Sequence, residues 1–366
     1  MRMNRIAAIL MALLGLTSMY AQDNGKDARS LPVLPTDKNI QYIGRIEDSN
    51  PDSPTFTYPG VQIRTGFTGS LFEMTAKPRS GYFMVEIDGG EPFKVHFYDN
   101  HTVTLADGLE DKEHQAIVTY IGEGYETLPE FRGFRVGKGK SLTPATPLPK
   151  RKIEFIGNSI TCGYGIEAQS ASDPYKEETA NYYYTYAART ARNLNAQAVV
   201  VARSGIGVYR NYNGPKTGDA VNMNTEYPYT LLYNNQHKWD FNRYTPDVVC
   251  INLGTNDTST DGADSLLLLE GFKKLYSQVR NHYPQTKIVL LSGCMMSGNA
   301  LELVRQAMDE TQKHAERNGD KEVYRFDFPS QTGELGYGAS WHPSMLQHEK
   351  MANELTPYLQ KLMKWE

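Results

Sequence analysis

The residue pattern of this chain changes character once, and that change limits the possible folds more than any other feature. From about Ile40 to Val136 the sequence holds only short runs rich in β-branched and aromatic residues. These are Thr55–Tyr58, Val61–Thr65, Leu71–Ala76, Tyr82–Ile87, Phe93–Tyr98, His101–Leu105 and Gln115–Ile121. Turn signals such as Pro59-Gly60, Asp88-Gly89-Gly90 and Asp99-Asn100 separate them, and a helical apolar period is absent. Beyond a stretch with three prolines at 138–150, apolar strands alternate with helical segments. Strands are expected at Lys152–Ile156, Ala198–Ala202, Asp247–Leu253, Lys287–Leu291 and Val323–Phe328. Helices are expected at Thr179–Leu194 with Thr179 as N-cap, at Asp264–His282, at Asn299–Arg317, and at Ser344–Lys364 with a kink at Pro357. The first pattern predicts a β-sandwich of jelly-roll type, the second a doubly wound parallel sheet covered on both faces.

The N-terminus reads differently again. Arg2 and Arg5 precede an apolar run from Ile6 to Leu16, and small or polar residues follow to Ala21. This is the layout of a secretory signal, too short to span a bilayer comfortably. The expected organisation is therefore a signal at 1–21, a sandwich at 22–137, a linker at 138–150 and an α/β domain at 151–366. The net charge of −4 becomes −6 once the two signal arginines are removed. That balance supplies no electrostatic argument for nucleic acid or an anionic membrane as partner, and nothing in the sequence assigns an oligomeric state. Three cysteines form no disulfide framework, and the eight histidines lack metal-ligand spacing, so no cofactor or metal is expected. The 24 tyrosines suit either strands or a surface that meets flat polar ligands.

In a doubly wound sheet, chemistry gathers at the carboxyl ends of the strands. The first strand there runs into Gly157-Asn158-Ser159, where a glycine turn can expose the serine hydroxyl. The second ends in Ser204-Gly205 and the third in Gly254-Thr255-Asn256-Asp257. A glycine amide and an asparagine side chain near Ser159 would make an oxyanion hole. Ser340-Trp341-His342-Pro343 lies before the last helix, on the same edge. Each turn alone is an ordinary loop sequence. Cys162 follows the serine closely, but no motif places a base for a thiol.

Together the four turns resemble the SGNH, or GDSL-like, hydrolases, over roughly residues 150–366. The match runs through Ser159, Gly205, Asn256 and His342. A narrower resemblance is to carbohydrate esterase family 2, carried by Ser159-Ile160-Thr161-Cys162-Gly163-Tyr164-Gly165 and Trp341-His342-Pro343-Ser344. Gly44-Arg45, Tyr58-Pro59-Gly60 and Phe67-Thr68-Gly69 match its sandwich domain more loosely. The resemblance implies metal-free removal of acetyl groups from an acetylated polysaccharide or oligosaccharide of xylan or glucomannan type. Ser159 and His342 would be catalytic, Gly205 and Asn256 would form the oxyanion hole, and Trp341 would offer a stacking face to sugar. Tyr209, Tyr212, Tyr227, Tyr229 and Tyr233, in the long 207–244 connection, suit the same contact.

Two positions depart from the pattern. Asn158 replaces the usual Asp before the serine. No acid precedes the histidine, where Ala339 and Ser340 stand three and two residues back. The expected substitute is a backbone carbonyl holding the imidazole, with Glu334 as a more distant candidate. An SGNH esterase of lipase-like or sialate type, and a carbohydrate-binding protein with a decayed site, are the other readings.

Overall fold

The computed structural model describes residues 29–366; the signal expected at 1–21 lies outside the described residues. Ten strands build the first half. They are β1 (Ser30–Val33), β2 (Gln41–Ile43), β3 (Gln62–Thr68), β4 (Leu71–Ala76), β5 (Gly81–Ile87), β6 (Phe93–Phe97), β7 (Thr102–Asp107), β8 (Glu113–Tyr120), β9 (Phe131–Gly137) and β10 (Leu142–Thr143). One antiparallel sheet has the order β1-β9-β4-β7, the other β10-β3-β8-β5-β6 with β2 also paired to β3. Alternate residues of each face the other sheet: Ile63, Phe67, Val85 and Val118 meet Phe72, Met74, Phe134 and Val136 in one apolar core. Phe67 and Phe72 stack there at 4.1 Å. This is the sandwich that the strand pattern predicts.

Three details differ from the expectation. Thr55–Tyr58 is no strand: only Thr55 bridges, to Glu47 and Glu130. Proline on both sides limits pairing, and Tyr58 leaves the sandwich to bury itself in the core of the second domain. Strand β9 escaped detection because Gly133, at φ +110°, breaks its alternation where the register with β4 shifts. Within the proline-rich stretch, Leu142–Thr143 is an edge strand against β3.

The second half is a parallel sheet of β12 (Ala196–Ala202), β11 (Arg151–Gly157), β15 (Val248–Asn252), β16 (Lys287–Ser292) and β17 (Val323–Asp327), in that spatial order. A small hairpin, β13 (Tyr229–Leu231) and β14 (Asn234–Lys238), lies in the long connection after β12. The helices are α1 (Ser159–Cys162), α2 (Tyr186–Asn193), α3 (Met223–Glu226), α4 (Ser265–His282), α5 (Gly298–Arg317) and α6 (Met345–Met363). Helices α4 and α5 share one apolar cluster with one face of the sheet, and α2 and α6 share another with the opposite face. Strand β15 is buried throughout, as a strand covered on both faces must be.

The helix expected over Thr179–Leu194 is broken. A 3-10 turn at Glu177–Thr179 ends where the helix is expected to start, Ala180 is extended, and a second 3-10 turn covers Tyr182–Tyr184. The buried Asn181 side chain takes the Tyr183 N–H and so competes with helical pairing. The N-cap is Thr185, whose hydroxyl accepts from the Ala188 amide, in place of Thr179. Helix α6 runs unbroken across Pro357.

One residue type is out of place in the sheet. Glu154, on β11, is fully buried, and its partner is the fully buried Arg45 of the sandwich at 3.1 Å. The Tyr227 hydroxyl donates to the same carboxylate at 2.9 Å. Arg45 also donates to the Tyr227 and Tyr229 carbonyls, and its guanidinium lies over the Tyr227, Trp239 and Phe241 rings at 4.9 to 5.4 Å. Both members of the pair are hydrogen-bonded, through Arg45 Nη1 and Nη2 and both Glu154 carboxylate oxygens, which is the condition for burying a charge.

Candidate active site

The strand order places β11 between β12 and β15, so successive connections leave it in opposite directions. That switch point opens a crevice at the carboxyl edge. Register brings the three motif turns to one level: Gly157 sits beside Ala202 on one side and Asn252 on the other. Gly157 is required for steric reasons, since a Cβ there would lie 2.0 Å from the Thr161 hydroxyl. Asn158 caps α1 by accepting the Ile160 N–H at 3.1 Å, and Ser159 follows as the first helical residue. The Asn in place of the usual Asp therefore keeps the capping oxygen.

His342 Nε2 lies 2.9 Å from Ser159 Oγ. Its Nδ1 faces the carbonyls of Ala339 at 3.0 Å and Ser340 at 3.2 Å. Carbonyl oxygens only accept, so Nδ1 carries the proton and Nε2 offers its lone pair to the serine. Among the described residues His342 has no carboxylate partner, and Glu334 is exposed without contacting it. The two carbonyls point back at the ring because Ser340 (φ +50°) and Trp341 (φ +57°) are both left-handed. Two such residues in a row cost about 1–3 kcal/mol each. Ser340 N–H to the Asp173 carbonyl, Trp341 N–H to the Ala171 carbonyl and Gln331 Nε2 to the Trp341 carbonyl hold them. Tyr164 stacks on the imidazole at 4.2 Å. Burial pulls the His342 pKa down to about 4, and the two carbonyls oppose it only weakly.

A cleft of about 670 Å³ opens above this pair, lined among others by Gly205, Asn256, Arg203 and Tyr212. Gly205, at φ +83°, has an amide with no acceptor among the described residues. Asn256 Nδ2 donates to the Ile206 carbonyl at 2.8 Å, which orients the amide and leaves its second N–H free for a ligand. Asp257 does structural work: its buried carboxylate accepts the Val208, Tyr209 and Arg210 amides and fixes the following loop. Ser159, Gly205, Asn256 and His342 thus line one cleft. Trp341 beside them is 59% exposed. Of the five tyrosines in the long connection, Tyr209 and Tyr227 are buried core, whereas Tyr212 and Tyr233 are exposed.

Cys162 is buried, and its environment pushes the thiol well above its ordinary pKa, against a thiolate nucleophile. Sequence reasoning gave no role to Tyr164 or Arg203 and missed Glu123. Tyr164 stood inside a quoted motif; Glu123, on a sandwich loop, carries no local signal.

Comparison with known proteins agrees with this geometry. Residues 42–146 match the carbohydrate esterase 2 N-terminal family and residues 155–350 the GDSL-like lipase/acylhydrolase family. The cellulase/esterase CelE of Acetivibrio thermocellus is 40% identical over 89% of this chain, which spans only 40% of that protein. An acetylxylan esterase / glucomannan deacetylase of Cellvibrio japonicus is 30% identical over 98% of this chain and 99% of its own length. A family two carbohydrate esterase from Clostridium thermocellum, solved in complex with cellohexaose, superposes with a TM-score of 0.82 at 39% identity, covering 89% of this chain and all of that one.

Proposed function

The chain belongs to the GDSL-like lipase/acylhydrolase family and, with its N-terminal domain, to family 2 of the carbohydrate esterases, and on that premise we propose that it strips O-acetyl groups from a plant polysaccharide of xylan or glucomannan type. The observation that carries this reading is the 2.9 Å contact between Ser159 Oγ and a His342 whose other nitrogen is tied to backbone carbonyls. His342 Nε2 takes the hydroxyl proton as Ser159 Oγ attacks the acetyl carbon, and the carbonyl π pair moves onto oxygen. The Ser159 and Gly205 amides and the spare Asn256 N–H hold that oxyanion. Collapse breaks the bond to the sugar oxygen, which leaves with the proton from His342. Water repeats the two steps on the acyl-enzyme and releases acetate.

The substrate class is supported by the activity in the name of the Cellvibrio relative and by the exposed Trp341, Tyr212 and Tyr233 near the cleft. The signal-like residues 1–21 make it an exported enzyme, followed by a sandwich domain at 22–137, a linker at 138–150 and a hydrolase domain at 151–366. The test is acetate release from acetylated xylan, acetylated glucomannan and a medium-chain ester by wild type and Ser159→Ala. Acetate from either polymer that disappears in the variant is expected. Unchanged release by the variant, or preference for the medium-chain ester, refutes the reading.

A further inference from the structure

Gly205 is held in place from the other domain. The Arg203–Ile206 turn closes with the Ile206 N–H on the Arg203 carbonyl at 3.2 Å, and its third residue, Gly205, has the positive φ of a type II turn. The central peptide of such a turn carries the Gly205 N–H on one side and the Ser204 carbonyl on the other. Turning that peptide over would present an oxygen where the oxyanion needs a donor. Glu123, just beyond β8 of the sandwich, grips this turn at its second residue. One carboxylate oxygen accepts the Ser204 N–H at 2.7 Å, and the other accepts the Ser204 hydroxyl at 2.5 Å. Tyr125, two residues on, and Tyr233 flank the Arg203 guanidinium at 5.5 Å each. The Tyr212 N–H on the Gly205 carbonyl at 2.8 Å secures the far side.

We propose that Glu123 is a positioning residue for the oxyanion donor Gly205, so that the sandwich domain completes the catalytic geometry of the hydrolase. This rests on the reading of Ser159 as nucleophile and Gly205 as donor. Glu123 does not touch substrate; it acts through Ser204. A carboxylate suits the task because it accepts both donors at once without offering a hydrogen of its own.

Kinetics on a soluble aryl acetate test it. Removing one oxyanion donor outright costs about 10²–10³ in kcat, and loosening one should cost part of that. Glu123→Ala is expected to lower kcat by about 10- to 100-fold with KM within about twofold. Glu123→Gln keeps an acceptor for the Ser204 N–H and can donate to the Ser204 oxygen, so it should stay within about fivefold of wild type. A kcat at or above wild type in Glu123→Ala overturns the proposal; it would mean that freeing the Arg203 charge matters more than the turn. Equal losses in both variants, with KM rising in parallel, also overturn it, because a general structural role would give that result. Should Glu123→Ala not fold, Ser204→Ala removes one of the two bonds; about a three- to tenfold kcat loss at constant KM is expected, and a wild-type kcat refutes the idea. Ser159→Ala measured alongside keeps the two readings apart. Activity in that variant would sink the nucleophile assignment whatever the Glu123 variants do, whereas an inert Ser159→Ala beside a fully active Glu123→Ala sinks only the role of Glu123.

Discussion

Acidification should leave this enzyme working at pH values where a typical histidine base has already been protonated. As the base of the proposed mechanism, His342 would accept the serine proton only while neutral, and burial lowers its pKa from 6.5 to about 4. That difference disfavours the imidazolium by about 3 kcal/mol relative to a histidine in water. The backbone carbonyls of Ala339 and Ser340 fix the ring but carry no full charge to offset it. The assay is kcat/KM on an aryl acetate from pH 3.5 to 8, which reports the free enzyme. The acidic limb is expected to reach half-maximum near pH 4. Ser340→Asp puts a carboxylate two residues before the histidine, at a left-handed position that Asp tolerates. It should move that limb upward by one pH unit or more. A wild-type half-maximum between pH 6 and 7 would refute the reasoning, because it would show that burial does not govern the imidazole. Stability runs the same way. The folded pKa lies below the unfolded one, so the unfolded chain takes the proton first. The contribution of the neutral ring is complete above pH 6.5 and is lost as pH falls toward 4. A melting curve at each pH separates this loss from the catalytic limb.

Three other outcomes are expected. Asn256→Ala should lose about 10²–10³ in kcat on an aryl acetate with little change in KM; a loss below tenfold removes Asn256 from the oxyanion hole. Trp341→Ala should lose about tenfold in kcat/KM on acetylated polysaccharide and stay near wild type on the aryl acetate, and equal losses on both would show that the ring shapes the His342 turn instead. Arg45→Met, read by urea unfolding, should destabilise by about 3–5 kcal/mol because Glu154 is left buried without its counter-charge, and adding Glu154→Leu should recover most of that. A wild-type midpoint in the single variant would refute the pairing argument.

The features legible in the sequence were those set by neighbours along the chain. Gly157, Gly205 and Gly254 mark turns at strand ends, and the five parallel strands follow from apolar runs that only a doubly covered sheet explains. The absence of acid at Ala339 and Ser340 left a backbone carbonyl or the distant Glu334 as candidates to hold His342, and the sequence did not settle which. How the carbonyls reach the ring was not readable, since neither Ser340 nor Trp341 is a residue type that advertises a left-handed conformation. The break before Thr185 was hidden for a related reason. Tyrosines fit a helix by composition, and it is the buried Asn181 and the packing of Tyr182 and Tyr183 that stop it. Glu123 and the Arg45–Glu154 pair are contacts between residues some 80 to 110 positions apart. Local pattern cannot report such contacts, because nothing near Glu123 in the chain reveals what it will meet.

The Arg45–Glu154 pair has a consequence for anyone who would treat this molecule as interchangeable parts. Cutting at the proline-rich stretch looks safe on paper, yet it would strand an acidic side chain on an interior strand of the hydrolase sheet. A foreign module grafted in front would have to bring an arginine to the same spot, or the graft must begin by making Glu154 apolar. The unit that can be moved between scaffolds is therefore the two domains together.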